Sequence, residues 1–432
     1  MAEQMKPSGI DWIGDIPDEW DITKVRFVTK LRSEQGFYNS DDKYIGLENI
    51  SSYTGEYIST ESEYDAGIYD LYKTGDLLFS KLRPYLAKAL IADDCGFCTG
   101  ELAVIKEYNG DIRYLFYYML SDGFLKMVDA STYGAKMPRA SWDYIKNLQI
   151  PVIGKAEQQA IANYLDRECA QIDSVAADLE KQIALLQQYK KSLITETVTK
   201  GLDRSVPMKD SGVEWLGKIP AHWKFKRLKF MLENSSDSMK VGPFGSALSG
   251  SDFTDEGKWV YNQRVVLDNN FSENTTFVSE EKFQEMRSFA VYPGDILITT
   301  RGTIGKVAIV PEGANEGILH PCIIKFRVDK EIIIPELLQL IFNESDFVKD
   351  QFTLMSNATT IEVIYSYSLK DILLPVIPAD EQEKIYAYLS KKCIAIDGII
   401  AEKQKALATI TQHKKSLIYE YVTGKKRVKE VQ

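Results

Sequence analysis

Cys95 and Cys98 form a C-x-x-C pair in "DDCGFCTG", a spacing that can hold half of a tetrahedral metal site. Such a site needs about four ligands, and no second pair stands at a matching distance, so two ordinary turn or strand cysteines are expected. Five cysteines scattered through 432 residues do not make a disulfide framework. The glycine-rich stretch "GPFGSALSGS" (242–251) lacks the G-x-x-x-x-G-K-S/T order that cradles nucleotide phosphates. There is no H-E-x-x-H, no nucleophile elbow in a strand-to-helix context, and no dinucleotide-binding G-x-G-x-x-G. An N-P-P-Y or D-P-P-Y stretch, expected of an enzyme that methylates exocyclic amines, is absent too. Carboxylates are plentiful, yet no acid–base pairing repeats along the chain. These residues describe a protein that holds something rather than one that transforms it.

The elements that must position any binding residues come in duplicate. "GIDWIGDIPDEW" (9–20) returns as "GVEWLGKIPAHW" (212–223). "IPVIGKAEQQAIANYL" opens a stretch running from Ile150 to Thr199 that returns from Leu374 to Thr423, with about half of its positions identical. Glu157/Glu381, Gln158/Gln382, Cys169/Cys393 and Asp173/Asp397 are retained, and Lys190-Lys191-Ser192-Leu193-Ile194 recurs as Lys414 to Ile418. The three histidines fall outside this framework's identities: His222 replaces Glu19, His413 replaces Tyr189, and His320 has no counterpart. The order is short repeat, long segment, helical repeat, written twice, and the second long segment is the longer. This divides the chain into 1–149, 150–203, 204–373 and 374–432.

The helical repeats carry a coiled-coil seam. Leu165, Cys169, Ile172, Ala176, Leu179, Ile183, Leu186 and Leu193 follow 4-3-4-3 spacing, with Lys190 interrupting. Leu389, Cys393, Ile396, Ile400, Leu407, Ile410 and Leu417 keep the same heptad, with Lys403 and Lys414 in core phase. So narrow a stripe is a seam for one partner helix rather than a broad core-facing surface. Each helix of roughly 40 residues would run about 60 Å at about 1.5 Å per residue. An internal twofold pairs them antiparallel. The long segments read as α/β domains sharing one fold with different loops. "GDLLFSKLRPYLAKALIADD" and "GDILITTRGTIGKVAIVPEG" are strand, polar turn, strand; "IRYLFYYMLSDGFLKMV" and "PELLQLIFNESDFVKDQF" are later helices. The fold class is therefore α+β: two globular α/β domains joined by a long antiparallel two-helix coiled coil, with an internal pseudo-twofold repeat.

The doubled "GxxWxGxIPxxW", "GDxLxS/T" and "PxxEQxxIxxYL" motifs, in this order over nearly the whole chain, resemble the specificity subunit of type I restriction-modification systems. The resemblance implies two target-recognition domains, each reading one half of a bipartite sequence in double-stranded DNA. It implies two methyltransferase partners that carry S-adenosylmethionine, and up to two motor-nuclease partners that use ATP and Mg. It also implies a role in phage defence and no cofactor or catalytic residue in this chain. With no run of about 18 apolar residues and no apolar core of a signal peptide, a cytoplasmic protein away from membranes is expected.

Given that resemblance, the loop residues able to reach a major groove become candidates. Arg and Lys can donate to guanine O6 and N7, and Asn and Gln can pair with adenine. In the first domain these are Ser80, Lys81, Arg83, Tyr85, Lys136 and Arg139; in the second, Ser246, Asn262, Gln263, Arg264, Thr300, Arg301, Lys306 and Asn357. Charge points the other way. The formal net charge is −10, and residues 29–149 and 232–373 account for −5 and −9 of charge, whereas DNA-binding domains usually show a basic footprint. Base reading needs only a few side chains, which whole-domain charge does not report. The alternative is a pseudo-twofold scaffold that grips protein partners and never contacts DNA.

Overall fold

The computed structural model describes residues 4–134, 136–213, 215–244, 247–356 and 363–428. Two compact units divide the chain: Met1–Lys181 with Lys403–Gln432, and Gln182–Glu402. The division runs through both long helices, so each unit owns one part of each.

In the first unit an opening hairpin pairs Met5–Pro7 with Asp15–Pro17, and Asp21–Lys24 pairs antiparallel with Gln149–Val152. Between these lies an antiparallel sheet in the order Thr29–Leu31, Leu102–Tyr108, Leu77–Ser80, Ala89–Ile91. A second four-stranded sheet runs Gln35–Tyr38, Gly67–Tyr72, Gly96–Cys98, Tyr44–Ile45. The expected later helix is two, Ile112–Leu120 and Asp122–Ala130, because Ser121 turns extended and its hydroxyl donates to the Tyr118 carbonyl. Their aromatics meet Phe79, and the long helices close the core with Leu165, Cys169, Ile418 and Val422.

The second unit repeats this plan. Met208–Asp210 pairs with Lys218–Pro220, and Lys224–Arg227 with Leu373–Val376. The first sheet has the same order, Met239–Val241, Ile323–Phe326, Ile296–Thr299, Val307–Ile309. The second sheet differs: it has five strands, and the short helices Gln263–Asp268 and Glu280–Glu285 lie between them in the sequence. The later helix again splits, into Pro335–Glu344 and Phe347–Ser356.

In each copy the "GD" pair makes the turn into the buried central strand. Gly75 and Gly294 sit at φ +87° and +82°, where an L side chain is strained. The following aspartate turns its carboxylate back on the loop: Asp76 accepts from the Lys73 amide at 2.8 Å and Asp295 from the Tyr292 amide at 2.8 Å. Each is then neutralised by an arginine from another segment of the same unit, Asp76 by Arg32 at 2.6 Å and Asp295 by Arg327 at 2.5 Å. Those carboxylates hold both guanidinium pKa values above the ordinary one.

The long helices are Lys155–Lys200 and Ala379–Val422, of 46 and 44 residues. Their exposure keeps the heptad. From Lys391 to His413 the residues that are not fully exposed are Cys393, Ile396, Ile400, Lys403, Leu407 and Ile410. Within the first unit the helix parts run antiparallel, Asp173 against Lys414 and Tyr164 against Tyr421. Among the described residues, no helix is long and apolar enough to cross a membrane.

Candidate nucleic-acid interface

The framework motifs fix where each long segment begins and ends. The indole Nε1–H of Trp20 donates to Glu157 at 3.2 Å, and that of Trp223 to Glu381 at 3.0 Å, so the short repeat grips the first turn of the long helix in both copies. The neighbouring glutamine links three chain segments. Gln158 accepts from the Asp111 amide and donates to the Ile153 carbonyl; Gln382 accepts from the Ile334 amide and donates to the Ile377 carbonyl. The motif identities alone do not tell which residues these pairs join.

On that frame, the loop after the central strand lies beside the loop after the helices. In the first unit the Arg83 amide donates to the Pro138 carbonyl at 2.8 Å, the Ala140 amide to the Lys81 carbonyl at 2.8 Å, and Leu82 bridges Arg139. In the second the Ile364 amide donates to the Thr300 carbonyl at 2.9 Å, and Arg301 bridges Val363. The same two loops are thus brought together twice, with different side chains.

The candidate side chains divide by environment. Ser80 is buried and its hydroxyl donates to the Leu82 carbonyl; Thr300 is buried and donates to the Cys322 carbonyl. Asn262 caps the helix after it, accepting from the Arg264 and Val265 amides, and Gln263 donates to the Thr303 carbonyl. Lys306 reaches the Asn343 carbonyl at 2.5 Å. These groups shape the loops. Lys81 and Arg83 are partly exposed, Arg83 in left-handed backbone at φ +49°. Tyr85, Lys136, Arg264 and Arg301 are exposed, and Arg139 is exposed while ion-paired to Glu101. Ser246 and Asn357 lie outside the described residues. Exposed donors therefore stand at the paired loops of the first unit, and Arg301 at those of the second, while Arg264 lies on the helix Gln263–Asp268 and pairs with Asp268.

The lysines that interrupt the heptads have partners. Lys414 Nζ lies 2.7 and 2.6 Å from the two Asp173 carboxylate oxygens and 3.1 Å from the Tyr53 carbonyl. Lys190 Nζ lies 2.8 Å from Asp397 and 2.7 Å from Glu344. Burial works against the Lys190 ammonium, but its hydrogen bonds to Asp397 and Glu344 prevail and hold its pKa above the usual lysine value. Asp173/Asp397 and Lys190/Lys414 are the same two positions of the repeat, so one ion pair is written twice. The retained aspartates were the signal in the sequence. Cys98 lies buried in a strand, which pushes its thiol up to about 12, while Cys95 is exposed. Among the described residues no three His, Cys, Asp or Glu side chains gather to hold a metal.

Comparison with known proteins agrees with the repeats. Residues 238–409 match the family described as type I restriction modification DNA specificity domain. The chain is 27% identical over 329 residues to the type I restriction enzyme MjaVIII specificity subunit of Methanocaldococcus jannaschii, covering 74% of this chain and 72% of that one. It is 24% identical over 317 residues to the EcoBI specificity subunit of Escherichia coli, covering 72% and 65%. A chain solved in work on complex assembly and conformational transition of the type I R-M system shares the fold, with a TM-score of 0.67 at 16% identity over 95% of this chain and 99% of that one. The resemblance to type I specificity subunits, and the α+β fold read from the repeats, both hold.

Proposed function

We propose that this chain is the DNA-reading subunit of a type I restriction-modification complex. Each paired-loop site reads one half of a bipartite duplex target, and the helical framework holds two methyltransferase subunits and up to two motor-nuclease subunits. The observation that carries this reading is the same loop pair assembled twice on one repeated frame, with exposed arginines or lysines at each. Two different side-chain sets on one scaffold suit two unlike half-sites better than two copies of one reaction. The chain itself neither methylates nor cleaves; S-adenosylmethionine belongs to the methyltransferase partner, and ATP and Mg to the restriction partner. Such a complex works in the cytoplasm as phage defence.

Methylome sequencing of a host with and without this chain tests the reading. A bipartite methylation motif that disappears with the chain supports it; an unchanged methylome refutes it. The acidic long segments favour a second reading, a scaffold that touches only proteins. Gel shift of duplex DNA with the methyltransferase subunits, with and without this chain, separates the two.

A further inference from the structure

The stretch that runs from inside each short repeat into the strand after it has opposite charge in the two copies. Residues 215–232 carry Lys218, Lys224, Lys226, Arg227 and Lys229 and no acid. The equivalent 12–29 carries Lys24 and Arg26 against Asp15, Asp18, Glu19 and Asp21. The tryptophans and the Ile-Pro between these residues are unchanged, so the fold of the motif does not demand the lysines. Their side chains are exposed. On the strand Lys224–Arg227, Lys224 and Lys226 share one face while Phe225 turns to the core, where its ring meets Phe347. One carboxylate serves the next two cations: Asp371 Oδ1 lies 3.1 Å from Arg227 and 3.0 Å from Lys229. Lys229 also stands 5.4 Å over the ring of Phe230, which is 61% exposed.

This basic corner is continuous with the recognition loop of the same unit. Asp371 ends the short helix Ser366–Asp371. Upstream, Tyr365 and Tyr367 are exposed and stacked, with ring centroids 5.4 Å apart. Just before them in the chain, Val363 bridges Arg301. Residues 363–371 thus link the two: their start bridges Arg301, and their end, Asp371, pairs with Arg227 and Lys229. A charge run is usually only a solvated face, but one in an otherwise acidic unit, joined to a candidate reading loop, is complementary to a polyanion that the loop would already hold.

We infer that Lys224, Lys226, Arg227 and Lys229 form a sequence-independent phosphate grip for the duplex DNA read by the second unit, a grip that the first unit lacks. This rests on the DNA-reading function proposed above. It also accounts for the acidic long segment of the second unit: adhesion sits on the framework strand and discrimination in the loops.

The test uses the full chain and a fluorescein-labelled 30-base-pair duplex of arbitrary sequence, with binding followed by anisotropy across a salt series. In K224Q/K226Q/R227Q/K229Q, the slope of log affinity against log salt should become shallower by roughly 0.9 for each phosphate no longer neutralised. The paired control K24Q/R26Q should leave the slope unchanged. Thermal melts of both variants establish that they are folded. A folded quadruple variant with the wild-type slope, or an equal change in the control, overturns the grip. So does a quadruple variant that binds DNA normally but no longer assembles with methyltransferase subunits, which would assign the face to an acidic protein surface. The reading of a target is judged separately, by whether the methylation motif depends on this chain, so either can fail without the other.

Discussion

Replacing Lys414 with Met removes one ammonium from the helix seam while keeping an apolar stem of four heavy atoms, so the loss is mainly electrostatic rather than a cavity. The Lys414 side chain is 8% exposed, and Asp173, its partner through two hydrogen bonds, is 27% exposed. Breaking a fully buried pair costs about 3–5 kcal/mol, because the remaining charge is stranded. Partial access of Asp173 to water reduces this to about 2–3 kcal/mol, including the Tyr53 carbonyl that loses its donor. The repeated pair is worth less. Lys190 is 11% exposed, but its partners Asp397 and Glu344 are 55% and 40% exposed. On losing Lys190 those carboxylates hydrate, and K190M should cost at most about 1 kcal/mol. Hydrogen–deuterium exchange by mass spectrometry reads each site locally, from amides of 161–173 for the first pair and 186–198 for the second. The double variant D173L/K414M, with an apolar pair in the seam, should recover most of the loss. Equal losses for K414M and K190M, or additive effects of D173L and K414M, would refute the argument from burial.

Three other outcomes are expected. Arg301→Ala should relax recognition at one half-site by about 1–3 kcal/mol if its guanidinium contacts a base, and Arg83→Ala should do so at the other; uniform weakening on all sequences, measured by methylome sequencing and competition binding, would make both mere phosphate contacts. Burial lowers the pKa of His320 below 6.5, and its Nδ1 accepts from the Cys322 amide, so the folded state favours the neutral ring. The unfolded chain takes up the proton first, so this part of the stability is present above about pH 6.5 and falls away as pH drops below it. The wild-type melting temperature should therefore fall more than that of H320Q between pH 7 and 5, and parallel curves would contradict it. A fragment of residues 1–205 lacks Leu417, Ile418, Tyr421 and Val422, which cover Leu165 and Cys169 in the first unit. It should dimerise and use the equivalent Leu193, Ile194, Thr197 and Val198 of a second copy, a result that a monomer in analytical ultracentrifugation would exclude.

The framework was legible in the sequence because repetition exposed it. A Trp, a Glu-Gln pair and an Asp–Lys couple kept in step in both halves of the chain had to serve two copies of one geometry. The heptads were readable because a two-helix seam constrains every third and fourth residue. The split at Ser121 and Ser345 was not readable, since the apolar pattern runs on through both serines. Nor could spacing tell a loop hydroxyl turned inward, as in Ser80 or Thr300, from a donor left in water, as in Arg301. Local loop geometry decides that, and it comes from backbone bonds between segments far apart in sequence, such as Arg83 to Pro138. The retained aspartates and lysines could be seen in the sequence, but not that each lysine pairs with the aspartate in the other copy of the helical repeat.

In both units the strand that leads into the long segment lies beside the strand that leads out, Asp21–Lys24 against Gln149–Val152 and Lys224–Arg227 against Leu373–Val376. Everything between hangs from a two-point socket whose geometry does not depend on what is plugged into it. The chain already shows two different inserts, one with a four-stranded second sheet and one with a five-stranded sheet and additional short helices. Genetic exchange with both crossovers inside the flanking repeats would therefore replace a whole insert as a cassette, leaving the Trp–Glu clamps and the helix seam untouched. A new binding preference could then arise in one recombination step, without passing through intermediates that fail to fold.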